Sequence, residues 1–278
     1  MAAESSAAHW NAHAARWALI GPPLRPAPAD IAYLRDSVER LSVSLGSLGP
    51  PRTGLLLGVT PEIAELAWEP PLRLVAVDKS EGMVKAVWPG DTATRRALIG
   101  DWLGLELPEA PFDVVIGDGV FSIFEHPTGY ARLATALAKL VKPGGLFSVR
   151  LFCRPEPSEP VDAVFRGLFG GGIGNFHVFK WRLAMALQGN ATRGVRLADI
   201  WSTFCEHAGS VREVAQRTGW PEPVVGTLEG YRDVQDCYSF STEREVIDCL
   251  TAFELVETWH PDYELGERCP HLSFRRRR

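Results

Sequence analysis

The stretches GLLLGVTPE, residues 54–62, and LRLVAVDKSEGM, residues 72–83, decide the fold. Each opens with a short apolar run, which is typical of a strand buried on both faces of a parallel sheet. A helix start follows each run, at Pro61-Glu62 in the first stretch and at Ser80 in the second. Strand, helix and strand in this order predict a right-handed, parallel β-α-β unit.

The same alternation continues toward the C-terminus. Further buried strands are predicted at 112–116 and 146–152, with a helix over 128–141 that ends at the turn formed by Lys142-Pro143-Gly144-Gly145. Strand character returns at 253–259 and 271–275, which we interpret as an antiparallel hairpin at the sheet edge. These elements predict an α/β protein with a doubly wound, mostly parallel sheet.

About a hundred residues separate the fifth strand from this hairpin, which is far longer than an ordinary loop. They are rich in aromatic residues, and helices are predicted at 176–188, 197–207 and 210–218. We interpret this insertion as a cap in which some aromatic side chains line a substrate pocket. The expected parts are an N-terminal lid segment (1–50), a Rossmann-like core (51–153), a helical cap on the substrate side (154–240) and C-terminal strands that complete the sheet (241–278).

Composition restricts the functional classes. The 278 residues are 46% hydrophobic and 23% charged, with a net charge of −5, which argues against nucleic acid as a partner. The N-terminus has no secretory signal pattern, no apolar run reaches about 20 residues, and the five cysteines are scattered without metal-site spacing. We therefore expect a cytoplasmic protein with a small-molecule substrate, no metal site, and no membrane or nucleic-acid partner. The oligomeric state stays open.

Four loops follow predicted strands at the edge where doubly wound sheets bind ligands, at residues 55–62, 76–83, 99–108 and 112–121. Asp78 lies 20 residues after Gly58, the usual distance for a carboxylate that accepts hydrogen bonds from ribose. This pair alone fits a nicotinamide dinucleotide as well.

Together with LVKPGG at 140–145, these loops resemble the class I S-adenosylmethionine-dependent methyltransferases over residues 53–152 and the C-terminal hairpin. The resemblance implies a mostly parallel seven-stranded sheet, S-adenosyl-L-methionine as cofactor and S-adenosyl-L-homocysteine as product. It also implies roles for individual residues. Gly58, Val59 and Thr60 would pass under the methionine part of the cofactor, Asp78 with the adjacent Lys79 would face the ribose, and Met83, Asp101 and Trp102 would surround adenine, while Gly117, Asp118 and Gly119 would face cofactor and substrate.

In related enzymes a leading segment covers the cofactor as a lid. Trp10 and Trp17 would cover it here, and Arg16 or Arg25 would meet its carboxylate. The alternative is a helix whose tryptophans only pack on the core.

The first loop departs from the family pattern DLGCGTG. Only Gly58 remains, Thr60 and Glu62 stand where later glycines would be, and Leu56 replaces the upstream acid. This departure counts more heavily against a dinucleotide, because a pyrophosphate needs the close backbone approach that glycine permits.

The candidate catalytic residues are Asp118, His126 and His177. Lys180 and His207 are further possible bases, and Arg150 or Arg154 would suit an anionic substrate. Each also has a structural interpretation, since an Asp between glycines is typical of turns and a lone His is usually structural. Methyl transfer from a sulfonium is an in-line displacement that depends mainly on alignment, so the acceptor atom, O, N, S or C, stays undetermined.

The sequence thus predicts S-adenosylmethionine-dependent methyl transfer to a small molecule. Two alternatives remain open. The altered first loop favours a non-catalytic protein that binds the cofactor or acts as a scaffold, and Gly58 with Asp78 is all that favours a nicotinamide-dependent oxidoreductase.

Overall fold

The structure, a computed structural model, describes residues 2–44, 53–69, 71–189, 192 and 194–278. The boundary expected between the lid segment and the core, at 50/51, lies outside the described residues. The strands are β1 (Thr53–Leu57), β2 (Arg73–Asp78), β3 (Arg95–Ile99), β4 (Phe112–Asp118), β5 (Val141–Arg150), β6 (Val195–Arg196), β7 (Cys237–Tyr238), β8 (Phe253–Trp259) and β9 (His271–Arg276).

Helices cover both faces of the sheet and build the insertion. They are α1 (Ala2–Ala15), α2 (Pro28–Ser44), α3 (Pro61–Ala64), α4 (Glu81–Val87), α5 (Thr128–Leu140), α6 (Val161–Phe169), α7 (Phe176–Gln188), α8 (Leu197–Ala208), α9 (Val211–Thr218), α10 (Glu222–Val225) and α11 (Glu243–Cys249). Among the described residues, no helix combines the length and the apolar character needed to cross a bilayer.

Seven strands form one sheet in the order β3-β2-β1-β4-β5-β9-β8. Strands β1 to β5 are parallel, and β9 is antiparallel to both of its neighbours. The interior strand β1 is buried on both faces, because Leu55 and Leu56 are 0% exposed and belong to two separate apolar clusters on opposite sides of the sheet. The predicted doubly wound, mostly parallel sheet with a C-terminal antiparallel hairpin is confirmed.

The Lys142-Pro143-Gly144-Gly145 segment differs from the expected turn. Helix α5 ends at Leu140, one residue before the predicted end, and β5 begins directly at Val141, so the segment forms an irregular start of that strand. Gly144 has φ +79°, a conformation that favours glycine and lets the strand bulge before it rejoins β4.

The insertion between β5 and β8 has its own apolar core. Phe176, Phe179 and Phe204 are at most 1% exposed and belong to a cluster built mostly from residues 161–240, to which Leu265 and Cys269 of the β8–β9 connection are added. Phe152, at the end of β5, belongs to the same cluster. The insertion therefore packs onto the edge of the sheet where the parallel strands end.

Candidate functional site

A cavity of about 130 Å³ lies at the carboxyl ends of β1, β2 and β4. The core lines the floor of the cavity at the strand ends. Helix α1 and the segment after it line one side, and the insertion lines another. Its lining residues are Trp10, His13, Trp17, Leu24, Leu57, Gly58, Val59, Thr60, Asp78, Met83, Trp102, Asp118, Gly119, Val120, Ser122, Ile123, Phe152, Trp181, Tyr231 and Tyr238.

The first loop needs its one remaining glycine. Gly58 has φ +100°, and its N–H donates to the carbonyl oxygen of Val77 at 2.8 Å, which holds the loop against the end of β2. The same carbonyl accepts from Trp102 Nε1 at 2.6 Å. A Cβ at position 58 would lie 3.9 Å from Asp78 Oδ2, so glycine keeps the space above that carboxylate open.

Asp78 presents a carboxylate oxygen to this space. Its Oδ1 accepts from the backbone N–H of Ser80 at 2.8 Å, and Ser80 Oγ in turn accepts from Met83 N at the start of α4. Its Oδ2 has no hydrogen bond to any residue that the structure describes. Burial raises the pKa of Asp78 above its ordinary value, although the Ser80 N–H partly offsets this. A desolvated carboxylate with a free oxygen favours a ligand that donates hydrogen bonds.

The N-terminal helix closes one side of the cavity. Trp10 and His13 of α1, together with Trp17 just after it, line the cavity. Helix α1 crosses α4 at very short range, since a Cβ at Gly82 would lie 1.9 Å from Asn11 Oδ1. This glycine lets the two helices approach closely enough for α1 to cover the cavity.

The two arginines expected to meet a cofactor carboxylate already have partners. Arg25 pairs with Glu62 at 2.6 Å, and Arg16 donates to the carbonyl oxygen of Gly226 at 2.7 Å. Arg16 thereby connects the end of α1 to the insertion.

Asp118 lies at the end of β4, and its carboxylate Oδ1 accepts from Arg150 Nε at 2.6 Å. Burial disfavours the charge on Arg150, but Asp118 and Asp30 outweigh burial and raise the pKa of the guanidinium. The next residue, Gly119, has φ +64°, and a Cβ there would lie 2.5 Å from the Phe152 ring. The fourth loop therefore has a fixed shape with little room for a larger residue.

Lys79 and Asp101 do not line the cavity. Lys79 Nζ lies 3.0 Å from Asp101 Oδ2, and the two side chains are 80% and 48% exposed. Asp101 Oδ1 accepts from the backbone N–H of Leu103 at 3.0 Å, as a turn residue does. The adenine-binding role of Asp101 stays a prediction.

The two candidate histidines also lie outside the cavity lining. His126 is half-buried with its ring edge on Tyr130, at a centroid distance of 5.1 Å. His177 is 6% exposed on α7, and burial, followed by Lys180, lowers its pKa to about 4. Of the three candidate catalytic residues, the structure brings only Asp118 to the cavity.

Sequence reasoning did not assign His13 or Phe152 to the site. His13 lies three residues after Trp10 and four before Trp17, so helical spacing alone places it near them on one face. Phe152 follows β5, and residues that follow parallel strands lie at the edge of the sheet where ligands bind, as Asp118 does at the end of β4. Of the aromatic residues in the insertion, Trp181, Tyr231 and Tyr238 line the cavity.

Comparison with known proteins yields structural similarity only: no family model and no curated protein matches the sequence. Among solved structures, a protein from Rhodobacter sphaeroides, provisionally named a Zn-dependent alcohol dehydrogenase, is 18% identical with a TM-score of 0.52, over 96% of this chain and 98% of that one. The PH0226 protein from Pyrococcus horikoshii OT3 is 11% identical with a TM-score of 0.51, over 93% and 97% of the two chains.

The N-methyltransferase NodS from Bradyrhizobium japonicum WM9, solved with S-adenosyl-L-homocysteine, is 16% identical with a TM-score of 0.48, over 96% and 98% of the two chains. At these identities the likeness concerns the fold alone. Among the residues described, no three His, Cys, Asp or Glu side chains cluster so that they could hold a metal ion.

Proposed function

We propose that this protein is an S-adenosylmethionine-dependent methyltransferase that acts on a small molecule. The observation that carries the proposal is the convergence of residues that are distant in sequence. Ten of the residues assigned to the cofactor from sequence line one cavity, whereas Lys79, Asp101, Gly117, Arg16 and Arg25 do not. Asp78, with its free carboxylate oxygen, is one of the ten.

The residues present fit this cofactor. Asp78 Oδ2 would accept from ribose hydroxyls, since it lacks a partner among the described residues and Gly58 leaves the space above it open. Met83 and Trp102 would supply apolar walls for the adenine, with Trp102 held by its bond to the Val77 carbonyl. Trp10 and Trp17 would cover the ligand from α1.

The cofactor supplies an electrophilic methyl group on a sulfonium, and the protein's part is to align the acceptor and exclude water. The insertion suits both tasks. Trp181 packs against Phe152, Tyr238 packs against Trp181, and Tyr231 packs against Tyr238, so these cavity-lining rings form an aromatic wall beside the cofactor loops. Arg150 donates to the Asp118 carboxylate and fixes its orientation where the cofactor loops meet the insertion. A partly enclosed cavity with an aromatic lining suits a small acceptor.

A crystal structure of the complex with S-adenosyl-L-homocysteine tests the proposal. We expect the ribose hydroxyls within hydrogen-bond distance of Asp78 and the sulfur facing Phe152 and the aromatic wall. Binding at another surface, or a ligand in this cavity without contact to Asp78, would contradict it. In the expected complex, the space beside the sulfur would show the shape of the acceptor.

A further inference from the structure

A lysine lies buried at the end of the cavity formed by the insertion, which we call the cap end. Lys180 of α7 is 1% exposed, and the next residue, Trp181, lines the cavity. Lys180 Nζ lies 4.3 Å from the centre of the Tyr231 ring, and Tyr231 lines the same cavity. The amine is therefore one aromatic ring away from the cavity wall.

This lysine has no carboxylate to neutralise it. No acidic group among the described residues lies within ion-pair distance of its Nζ, and the charged group that acts on it most strongly is another cation, Arg16. Burial, followed by Arg16, lowers the pKa of Lys180 to about 7. A buried cation without a counter-charge destabilises a folded protein, so its presence calls for a partner.

His9 and His13 beside Lys180 are held in their neutral form, and two buried indole N–H donors belong to residues that line the cavity. Burial, then Lys180, lowers the pKa of His9 to about 4, and burial, then Lys180 and His9, lowers that of His13, which lines the cavity, to about 3. The indole N–H groups of Trp17 and Trp181, both cavity-lining residues, are buried without a hydrogen-bond partner.

Two acidic residues lie near this cluster. Glu229 pairs with Arg16, with 3.8 Å between its Oε2 and Arg16 Nη2. Asp236 acts on His9 and on Tyr238. Among the described residues neither acid forms an ion pair with Lys180 Nζ, so the lysine has no close counter-charge.

We propose that the cap end binds the methyl acceptor through an anionic oxygen, and that the acceptor is a planar aromatic molecule carrying a carboxylate or phenolate. The anion supplies the counter-charge that Lys180 lacks, and the indole donors complete its hydrogen bonds. The aromatic wall of Phe152, Trp181 and Tyr238 fits a flat ring. That this molecule receives the methyl group rests on the proposed function; the anion site itself does not.

Titration calorimetry with four small aromatic probes tests the proposal, with and without S-adenosyl-L-homocysteine. The probes are benzoate, 4-nitrophenolate, neutral benzamide and cationic benzylamine. For ligands of this size we expect millimolar affinity, so titration extends to about 10 mM. At least one anion binds about tenfold or more tightly than benzamide, and benzylamine binds weakest. The comparison of benzoate with 4-nitrophenolate identifies which anion the site prefers.

Lys180→Met removes the charge and keeps the length of the side chain, and it should abolish the preference for anions while S-adenosyl-L-homocysteine affinity stays within about twofold of wild type. Lys139→Met, at an exposed position on α5, is the matched control and should leave both unchanged. Circular dichroism confirms that each variant folds.

Equal binding of benzamide and the anions, a preference for benzylamine, or no saturable binding of either anion would overturn the proposal. An anion preference that survives in Lys180→Met would overturn the role of Lys180. Failure of S-adenosyl-L-homocysteine to bind would count against the proposed function instead, because the anion titration of the ligand-free protein is read separately.

Discussion

Arg150 Nε donates to Asp118 Oδ1 at 2.6 Å and thereby joins the end of β5 to the loop after β4. The same guanidinium donates through Nη1 to the carbonyl oxygen of Pro23 at 2.8 Å and lies 3.6 Å from Asp30 Oδ2. Arg150 is 2% exposed, and both carboxylates are buried. One buried cation thus holds the fourth loop and the N-terminal segment together beside the cavity.

Arg150→Met should destabilise the protein strongly, by about 3–5 kcal/mol, because it leaves Asp30 and Asp118 buried without their cation. Urea unfolding measures the loss. Arg244→Met is the matched control, since it breaks only an exposed ion pair with Asp248 and should cost less than about 0.5 kcal/mol. Similar losses for the two variants would show that the buried pairs contribute no more than a surface pair.

Asp78→Asn should weaken S-adenosyl-L-homocysteine binding by about 1–3 kcal/mol. The substitution keeps the side-chain size but replaces a charged acceptor with an amide, which loses charge-assisted hydrogen bonds to the ribose. Titration calorimetry measures the affinity. Asp162→Asn, at an exposed position at the start of α6, should leave it unchanged. An affinity equal to that of the wild type would remove Asp78 from the site.

Asp101→Asn should weaken S-adenosyl-L-homocysteine binding less than Asp78→Asn does, by under about 1 kcal/mol. Its carboxylate already accepts from Leu103 N and Lys79 Nζ, so a ligand gains less from it than from the free oxygen of Asp78. Affinity and unfolding free energy are measured on the same samples. A loss of affinity as large as that of Asp78→Asn would mean that the loop turns Asp101 toward adenine when the ligand binds.

Lys180→Met should raise stability most below about pH 7. The native pKa of Lys180 lies near 7 and the unfolded value near 10.5, so below pH 7 the native state holds a buried charge. Above pH 7 the native amine is neutral while the unfolded chain still binds the proton, and this makes the wild type more stable as pH rises toward 10.5. We expect a gain of about 1–4 kcal/mol at low pH that shrinks over this range, measured by urea unfolding. A gain that does not depend on pH would argue against a charged Lys180.

The sequence predicts the sheet well where burial is complete. Strand β8 and helix α7 have the bounds that their patterns indicate, and the apolar run at 55–57 lies in an interior strand of the sheet. Edge strand β3 has no comparable signal, because it is half-buried and begins with Arg95 and Arg96. Alternating or apolar patterns mark only strands that bury their side chains.

The sequence predicts the part of the site that is formed by residues at or directly after strand ends. Gly58, Asp78 and Asp118 follow three parallel strands, and such residues meet at one edge of the sheet. The charge state of the cap end was not predictable in this way, since α7 is buried nearly all round and its pattern gives no reason for Lys180 to be inside. Only the packing of the insertion against α1 places that cation beside the cavity.

Titration calorimetry of the purified protein with S-adenosyl-L-homocysteine, S-adenosyl-L-methionine and NAD tests the proposed cofactor most directly. We predict saturable binding of both sulfur compounds at one site per chain, with no saturable binding of NAD, because Asp78 is available to ribose while the first loop lacks the glycines that a pyrophosphate needs. Binding of NAD in preference to S-adenosyl-L-homocysteine, or no binding of either sulfur compound, would contradict the proposed function.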